Sequence, residues 1–588
     1  MYSILRSLII APTLLIIISL FSSLSYANST ELAQSADLAF INGKVYSLNW
    51  GEPSLEGLPS NDAPFNEGIW QPDATAIAII ENQIAFVGSD NAVKQYIDAS
   101  TQVIDLKGAT VLPGLIDSHV HIAELGAILE RVNLNDVTSP EEAIAKMLAY
   151  AEGHEAGEWL IGQGWDEGAW ANNYPTRQML DKAFPNNPVY LRSLHGFGAW
   201  VNTQALALAG ITEETKPPVG GEMLRDEKGV ATGILLNRAT TLIADAVPKP
   251  SVEEFANSIR VGMLQMAKDG FVAIHEAGAE TIHMDAFEYL YANNQLPIRT
   301  YAMLSARDTV LAKQWQDKGP RIDPLGFLDV RSVKAYYDGA LGSRGARLLE
   351  DYSDQPGHRG VSGDGYGYDA SVVDGLVSAG FQVGVHAIGD AGNREVLNYF
   401  ESAQKKFPAS STLRHRIEHA QVIANNDFQR FRQLNLIASM EPPHAVEDKT
   451  WAEDRLGAER IKGAYAWRTL RREGVDLTFN SDLPGSDHSI FYALHAAVTR
   501  RDKQAMPTEG WYPDESVSIE EAIRAYTNWA AYSAFREKNT GILKTGLWAD
   551  ITVMNIDPFK LATTAPAKIL DGEILMTIVN GKVVYSSL

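Results

Sequence analysis

Six side chains spread between residues 119 and 482 are of the types that hold divalent metal ions or stand beside them. His119 and His121 lie in VLPGLIDSHVHI, Lys334 in SVKAYYDGALGSRGA, His386 in VGVHAIGD, His419 in RHRIEHAQ and Asp482 in LTFNSDLPG. Alternate residues of a strand share one face, so His119 and His121 project together, with Asp117 below them. Two imidazoles side by side suit zinc or a similar borderline divalent ion. A lone His-x-His pair carries little weight, and the other ligand types found in the same setting supply it. Each of these residues ends a short apolar run that reads as a strand, just before a loop. In a (β/α)8 barrel all such strand ends open into one mouth, where sequence-distant side chains meet.

The elements needed to place them can be read along the chain. Eight strand candidates fall at 110–119, 271–278, 298–304, 330–339, 381–389, 414–420, 435–443 and 475–482. Charged, helical stretches such as NREVLNYFESAQKKF separate the later ones, which is the βα alternation of a barrel. His386 and His419 are 33 residues apart, one βα unit, and His419 and Asp482 are 63 apart, which accommodates two. Both chain ends are β-rich. ADLAFINGKVYSLN turns at Asn42-Gly43 and ILMTIVNGKVVYSSL at Asn580-Gly581, the strongest short hairpin signal. The reading is an α/β chain: a (β/α)8 TIM barrel over 111–537 inserted in one small β-sandwich built from 28–110 and 538–588, two separate β caps being the alternative. The interval after the first strand, 125–263, is too long for one loop and reads as an insertion or lid subdomain over the mouth.

Composition sets the remaining bounds. The 588 residues carry a net charge of −23, which argues against nucleic acid or an anionic membrane surface as a partner. Residues 1–27 read as a signal peptide: Arg6 is the positive start, Leu8 to Leu24 the apolar core, and Ser25-Tyr26-Ala27 the cleavage site. An uncleaved anchor is the alternative reading of that segment. The chain is therefore expected to be exported, periplasmic or secreted, with no stable membrane association after cleavage. Cysteine is absent, which excludes disulfides, thiolate ligands and a cysteine nucleophile. The metal must be held by nitrogen and oxygen, and no GxSxG elbow offers a serine nucleophile. Whether the chain forms a homo-oligomer stays open.

LPGLIDSHVH, GWDEGAW, HGFGAWVN, VKAYYDGALGSRGA, VHAIGDAGNREVL, RIEHAQ, NSDLPG and GILKTGLWADITVMNIDP run in one order over nearly all of the chain. With these motifs the chain resembles the amidohydrolase superfamily, in particular its family 3 branch, the YtcJ-like metal-dependent hydrolases that include N-substituted formamide deformylase. The resemblance implies one or two divalent ions per chain, zinc first among them. His119, His121 and Asp482 would hold one ion and His386 and His419 the second. Lys334 would bridge the two as a carboxylated lysine, since a neutral amine cannot; an unmodified Lys334 beside a carboxylate and a single ion are the alternative. Trp165 and Asp166 of GWDEGAW and His195 of HGFGAW match family positions that line the substrate pocket.

Four further residues are expected at the substrate: His275, ending the second strand beside Glu276; Arg344, beyond the fourth; and Glu441 and His444, ending the seventh. Glu276 and Glu441 depart from the family pattern and point to a basic or amine-bearing substrate, unless a neighbouring arginine pins them. The expected chemistry is metal-dependent hydrolysis of a carbon–nitrogen, non-peptide bond in a small molecule. Asp482 takes a proton from the attacking water and passes it to the leaving nitrogen. The same site used for isomerisation or deamination, or a non-catalytic binding protein, are the competing readings.

Overall fold

The computed structural model describes residues 35–134, 137–165, 174–193, 198–218 and 221–588. The leader 1–27 lies outside them, as do Asp166 and His195. Eight parallel strands form the central sheet: β1 (Leu115–Val120), β2 (Phe271–Ala279), β3 (Arg299–Ser305), β4 (Leu328–Tyr336), β5 (Gln382–Ala387), β6 (Arg416–His419), β7 (Ile437–Met440) and β8 (Asp476–Phe479). They pair in sequence order, and the gap between β8 and β1 is bridged just beyond their ends. Val120 pairs with Leu483, the Asp482 amide donates to the His119 carbonyl at 3.0 Å, and the His121 amide to the Leu483 carbonyl at 3.0 Å. The seam of the barrel thus runs through the candidate metal ligands.

The first expected strand, 110–119, is two strands. Thr110–Pro113 belongs to a five-stranded sheet, and only Leu115–Val120 enters the barrel. Gly114 sits at the break, where an added Cβ would lie 2.5 Å from the Val272 side chain. The five-stranded sheet joins Lys44–Val45 and Thr110–Pro113 to Ile551–Met554, Ile574–Val579 and Lys582–Ser586. It faces a four-stranded sheet from 38–105, and the apolar layer between them mixes Phe40, Ile77 and Val111 with Ile551, Val553 and Ile578. Both ends of the chain therefore build one sandwich around the inserted barrel. Thr552 fastens the two units: its hydroxyl accepts from the Leu115 amide at 3.2 Å and donates to the Gly270 carbonyl at 2.6 Å.

The insertion after β1 forms its own six-stranded sheet between Val132 and Asn237, with its own apolar core around Leu160, Trp165, Trp200 and Ile234. It is narrower than 125–263. The helix α1 (Ile122–Glu130) packs directly on α2 (Val252–Lys268), which a Ser251–Glu254 capping box begins. The contact is so close that a Cβ on Gly126 would fall 1.8 Å from the Ser258 carbonyl oxygen, so both helices belong to the barrel. Among the described residues, no helix is long and apolar enough to cross a membrane.

Candidate metal centre

Strand alternation turns Asp117, His119 and His121 to the barrel interior, and each is used differently. Asp117 accepts from the Ser481 hydroxyl at 2.6 Å and from the Ser481 and His119 amides at 3.2 Å each. It clamps β1 to the turn that carries Asp482, and burial pushes its carboxyl up to about 7. His119 gives its Nδ1 to the Glu418 carboxylate at 2.7 Å. This fixes the tautomer and leaves Nε2 facing the mouth, the second-layer contact that metal-binding histidines ordinarily have. Burial, then the Lys334 amine, lowers His119 to about 4, so the imidazole is neutral, as a ligand must be.

Asp482 closes the first cluster. Its Oδ1 lies 3.4 Å from His119 Nε2 and 3.3 Å from His121 Nε2, and one donor atom from each of the three falls within 4.8 Å of the others. Its φ of 50° is left-handed, as are those of His419 (72°) and Ala420 (43°). Non-glycine residues seldom adopt this conformation, and such strain gathers at functional sites. At β6 it has a direct use. Arg416 and Glu418 point inward by alternation, and the left-handed turn at His419 brings that imidazole into the same mouth.

The opposite side of the mouth is built from β4 to β7. The His386 ring stands 4.5 Å from that of His419, which stands 5.1 Å from that of His119. Lys334 is 1% exposed, with Nζ 2.9 Å from His119 Nε2, and burial lowers its pKa. Glu441 Oε1 lies 3.2 Å from His419 Nδ1, and Glu441 Oε2 lies 3.5 Å from His444 Nδ1. Against the upward push of burial, His419 and His444 hold Glu441 at about 2, while Glu441 raises His444 to about 9 against its own burial. His419, Glu441 and His444 are a second set of donor atoms within 4.8 Å of one another. His386 Nε2 is buried without a hydrogen-bond partner, and His419 Nδ1 and Glu441 Oε1 have no partner besides each other. Imidazoles and carboxylates converging on one space, with His386 Nε2 buried and unpartnered, fit a divalent cation, since unpaired buried polar groups are costly.

The remaining expected residues are placed as follows. His275 lies inside the barrel below the cluster, with Nδ1 3.0 Å from an Arg416 nitrogen and its ring against Tyr301. Trp165 is fully buried in the core of the insertion and donates to the Leu191 carbonyl at 2.9 Å, so it packs that subdomain rather than facing a ligand. Arg344 is committed to Asp354 through two bonds, of 3.1 and 2.7 Å. Glu441 is ion-paired and Glu276 accepts the Ile122 amide at 2.9 Å, with burial raising its carboxyl to about 7. Neither acid is a free anion for a basic substrate. Glu418 and Arg416 were missed by the sequence reading, although alternation within RIEH places both on the inner face.

Residues 102–585 match the family model described as the amidohydrolase family (Amidohydro_3). The chain belongs to the amidohydrolase family. It is 30% identical to YtcJ of Bacillus subtilis over 87% of this chain and 96% of that protein. It is 26% identical to the N-substituted formamide deformylase of Arthrobacter pascens over 87% of this chain and 95% of that enzyme. The crystal structure of an uncharacterized metal-dependent hydrolase from Pyrococcus furiosus superposes with a TM-score of 0.71 at 27% identity, covering 89% of this chain and 100% of that one. The TIM barrel set into a terminal sandwich is thus this amidohydrolase's fold, and its class is metal-dependent hydrolysis.

Proposed function

We propose that this amidohydrolase cleaves the carbon–nitrogen bond of a small-molecule amide, formamide or cyclic amide. The observation that carries the reading is the meeting of His119, His121 and Asp482 donor atoms within 4.8 Å at the barrel mouth. A divalent ion bound there, zinc being the one best suited to imidazole and carboxylate donors, would polarise the scissile carbonyl and lower the pKa of water. The chain supplies the rest. Glu418 keeps His119 in the tautomer that presents Nε2, and Asp117 holds the β1 and β8 ends in register. Asp482, with its carboxylate between two imidazoles, takes the proton of the attacking water and returns it to the departing nitrogen. An amide nitrogen leaves poorly until protonated, so one mobile carboxylate serves both halves of the reaction.

Lys334 in this reading is the carboxylated lysine of a two-ion site. Burial lowers its pKa and so enlarges the fraction of neutral amine that can add carbon dioxide. Export is proposed on the composition of residues 1–27. The N-substituted formamide deformylase relative favours N-formyl and N-acyl compounds as the first panel. On the purified chain we expect two equivalents of metal and hydrolysis that chelation abolishes and added metal restores. A chain that binds no metal after reconstitution would remove the hydrolase reading.

A further inference from the structure

The layer of the mouth directly above Lys334 contains a cation that no role yet absorbs. Ser305 of β3 pairs in register with Lys334 of β4; Tyr336 is the next residue of β4 on the same face, and Arg307 follows Ser305 by two residues in the turn that leaves β3. The geometry agrees: the Arg307 guanidinium lies over the Tyr336 ring at 4.1 Å from its centre, and Lys334 Nζ lies 5.0 Å from the same centre. Arg307 is therefore one aromatic ring away from the metal cluster. The His386 ring, whose residue pairs in register with Tyr336 on the adjacent strand β5, stands 6.0 Å from it.

Arg307 is held in place. A second ring, Tyr366, lies 5.3 Å from the guanidinium, and Nη2 donates to the Tyr366 carbonyl at 3.0 Å. Tyr336 is itself seated by a glycine. A Cβ on Gly278, whose φ is +91°, would fall 2.6 Å from the Tyr336 hydroxyl, so β2 leaves room for that ring only as glycine. Yet among the described residues Arg307 has no carboxylate within ion-pair reach, and it is exposed. Arg344, Arg347 and Arg455, by contrast, are all spent on Asp354 or Glu395. A guanidinium stacked on aromatic faces, with part of its donor fork open, is pre-organised to take a planar anion in two parallel bonds.

We infer that Arg307 anchors the substrate, receiving a carboxylate that the scissile amide carries at the far end of a short spacer. The inference rests on the mouth being the hydrolytic site, and it names the substrate class: anionic, carboxylate-bearing amides or formamides. Glu276 and Glu441 do not oppose it, since the first bonds a backbone amide and the second is paired with two imidazoles.

The test is a binding cycle on the metal-loaded chain, read by calorimetry without turnover. Glutarate carries two carboxylates and its monomethyl ester one, so the pair isolates the second anion. The parent protein should bind glutarate about ten- to a hundredfold tighter than the ester, the effect of one charge-assisted pair. Arg307→Met should erase that preference with the ester affinity unchanged, and Arg307→Lys should restore part of it. Equal affinities in the parent protein, no glutarate binding, or a preference that survives Arg307→Met would overturn the assignment. Equal losses for both ligands in Arg307→Met would do the same, because they mark a structural role. A chain that hydrolyses no amide but keeps the cycle fails only as a hydrolase; one that hydrolyses amides with a flat cycle fails only at Arg307.

Discussion

The two sides of the barrel mouth use the same residue types and are finished to different degrees. On the β1/β8 side every functional group is tied down: Glu418 holds His119, Asp117 holds Ser481, and Asp482 lies between two imidazoles. On the β5–β7 side, His386 Nε2 is buried without a hydrogen-bond partner, and His419 Nδ1 and Glu441 Oε1 meet only each other, as an ion pair at 3.2 Å. The first side is a completed receptor for one cation. The second leaves the His386 nitrogen without a partner. In the proposed two-ion reading, the first side would hold its ion more tightly than the second.

The largest way to break the comparison is Asp482→Asn, which keeps the shape but removes the proton carrier. We expect kcat to fall by about 10²- to 10⁴-fold, the range of general acid–base catalysis, in steady-state assays of whichever amide is turned over. Glu418→Gln comes next, since it frees the His119 tautomer and leaves Arg416 without its carboxylate. Affinity for the first ion should drop about 10- to 100-fold in a chelator titration. Glu441→Gln sharpens the contrast: the second equivalent should be released more readily while the first holds, so the two steps of the same titration move apart. The smallest effect is expected for Ser481→Ala, which removes one hydrogen bond to the buried Asp117 carboxyl at the β1/β8 seam. About 1–3 kcal/mol of stability should be lost in denaturant unfolding, with the metal count unchanged.

Much of this was legible in the sequence, and the failures have physical causes. The six candidate ligands could be found because each ends an apolar run, and strand ends of a barrel face one place. The tight side of the mouth was legible because His119 and His121 sit two apart on one strand. Glu418 was not singled out because its role depends on which strand lies across the barrel from β6, and only the closed fold answers that. Arg307 depends on register: nothing in SARD distinguishes it until Ser305 is placed beside Lys334. Trp165 shows the reverse error. An aromatic residue at a strand end reads equally well as pocket or core, and the insertion's separate sheet makes it core. The break at Gly114 was hidden because Thr110–Pro113 and Leu115–Val120 are both apolar and extended, although they belong to different sheets.

That break has a consequence for how the molecule comes into being. The strand carrying His119 enters the barrel from a sandwich sheet whose next strand, Ile551–Met554, is near the far end of the chain, and the Thr552 hydroxyl meets the Leu115 amide across 437 residues. Closing so long a loop is slow, and contacts of this range form late. Throughout synthesis the sheet strand that leads into β1 therefore waits for its Ile551–Met554 partner, and a chain released early would carry every ligand and still lack that anchor.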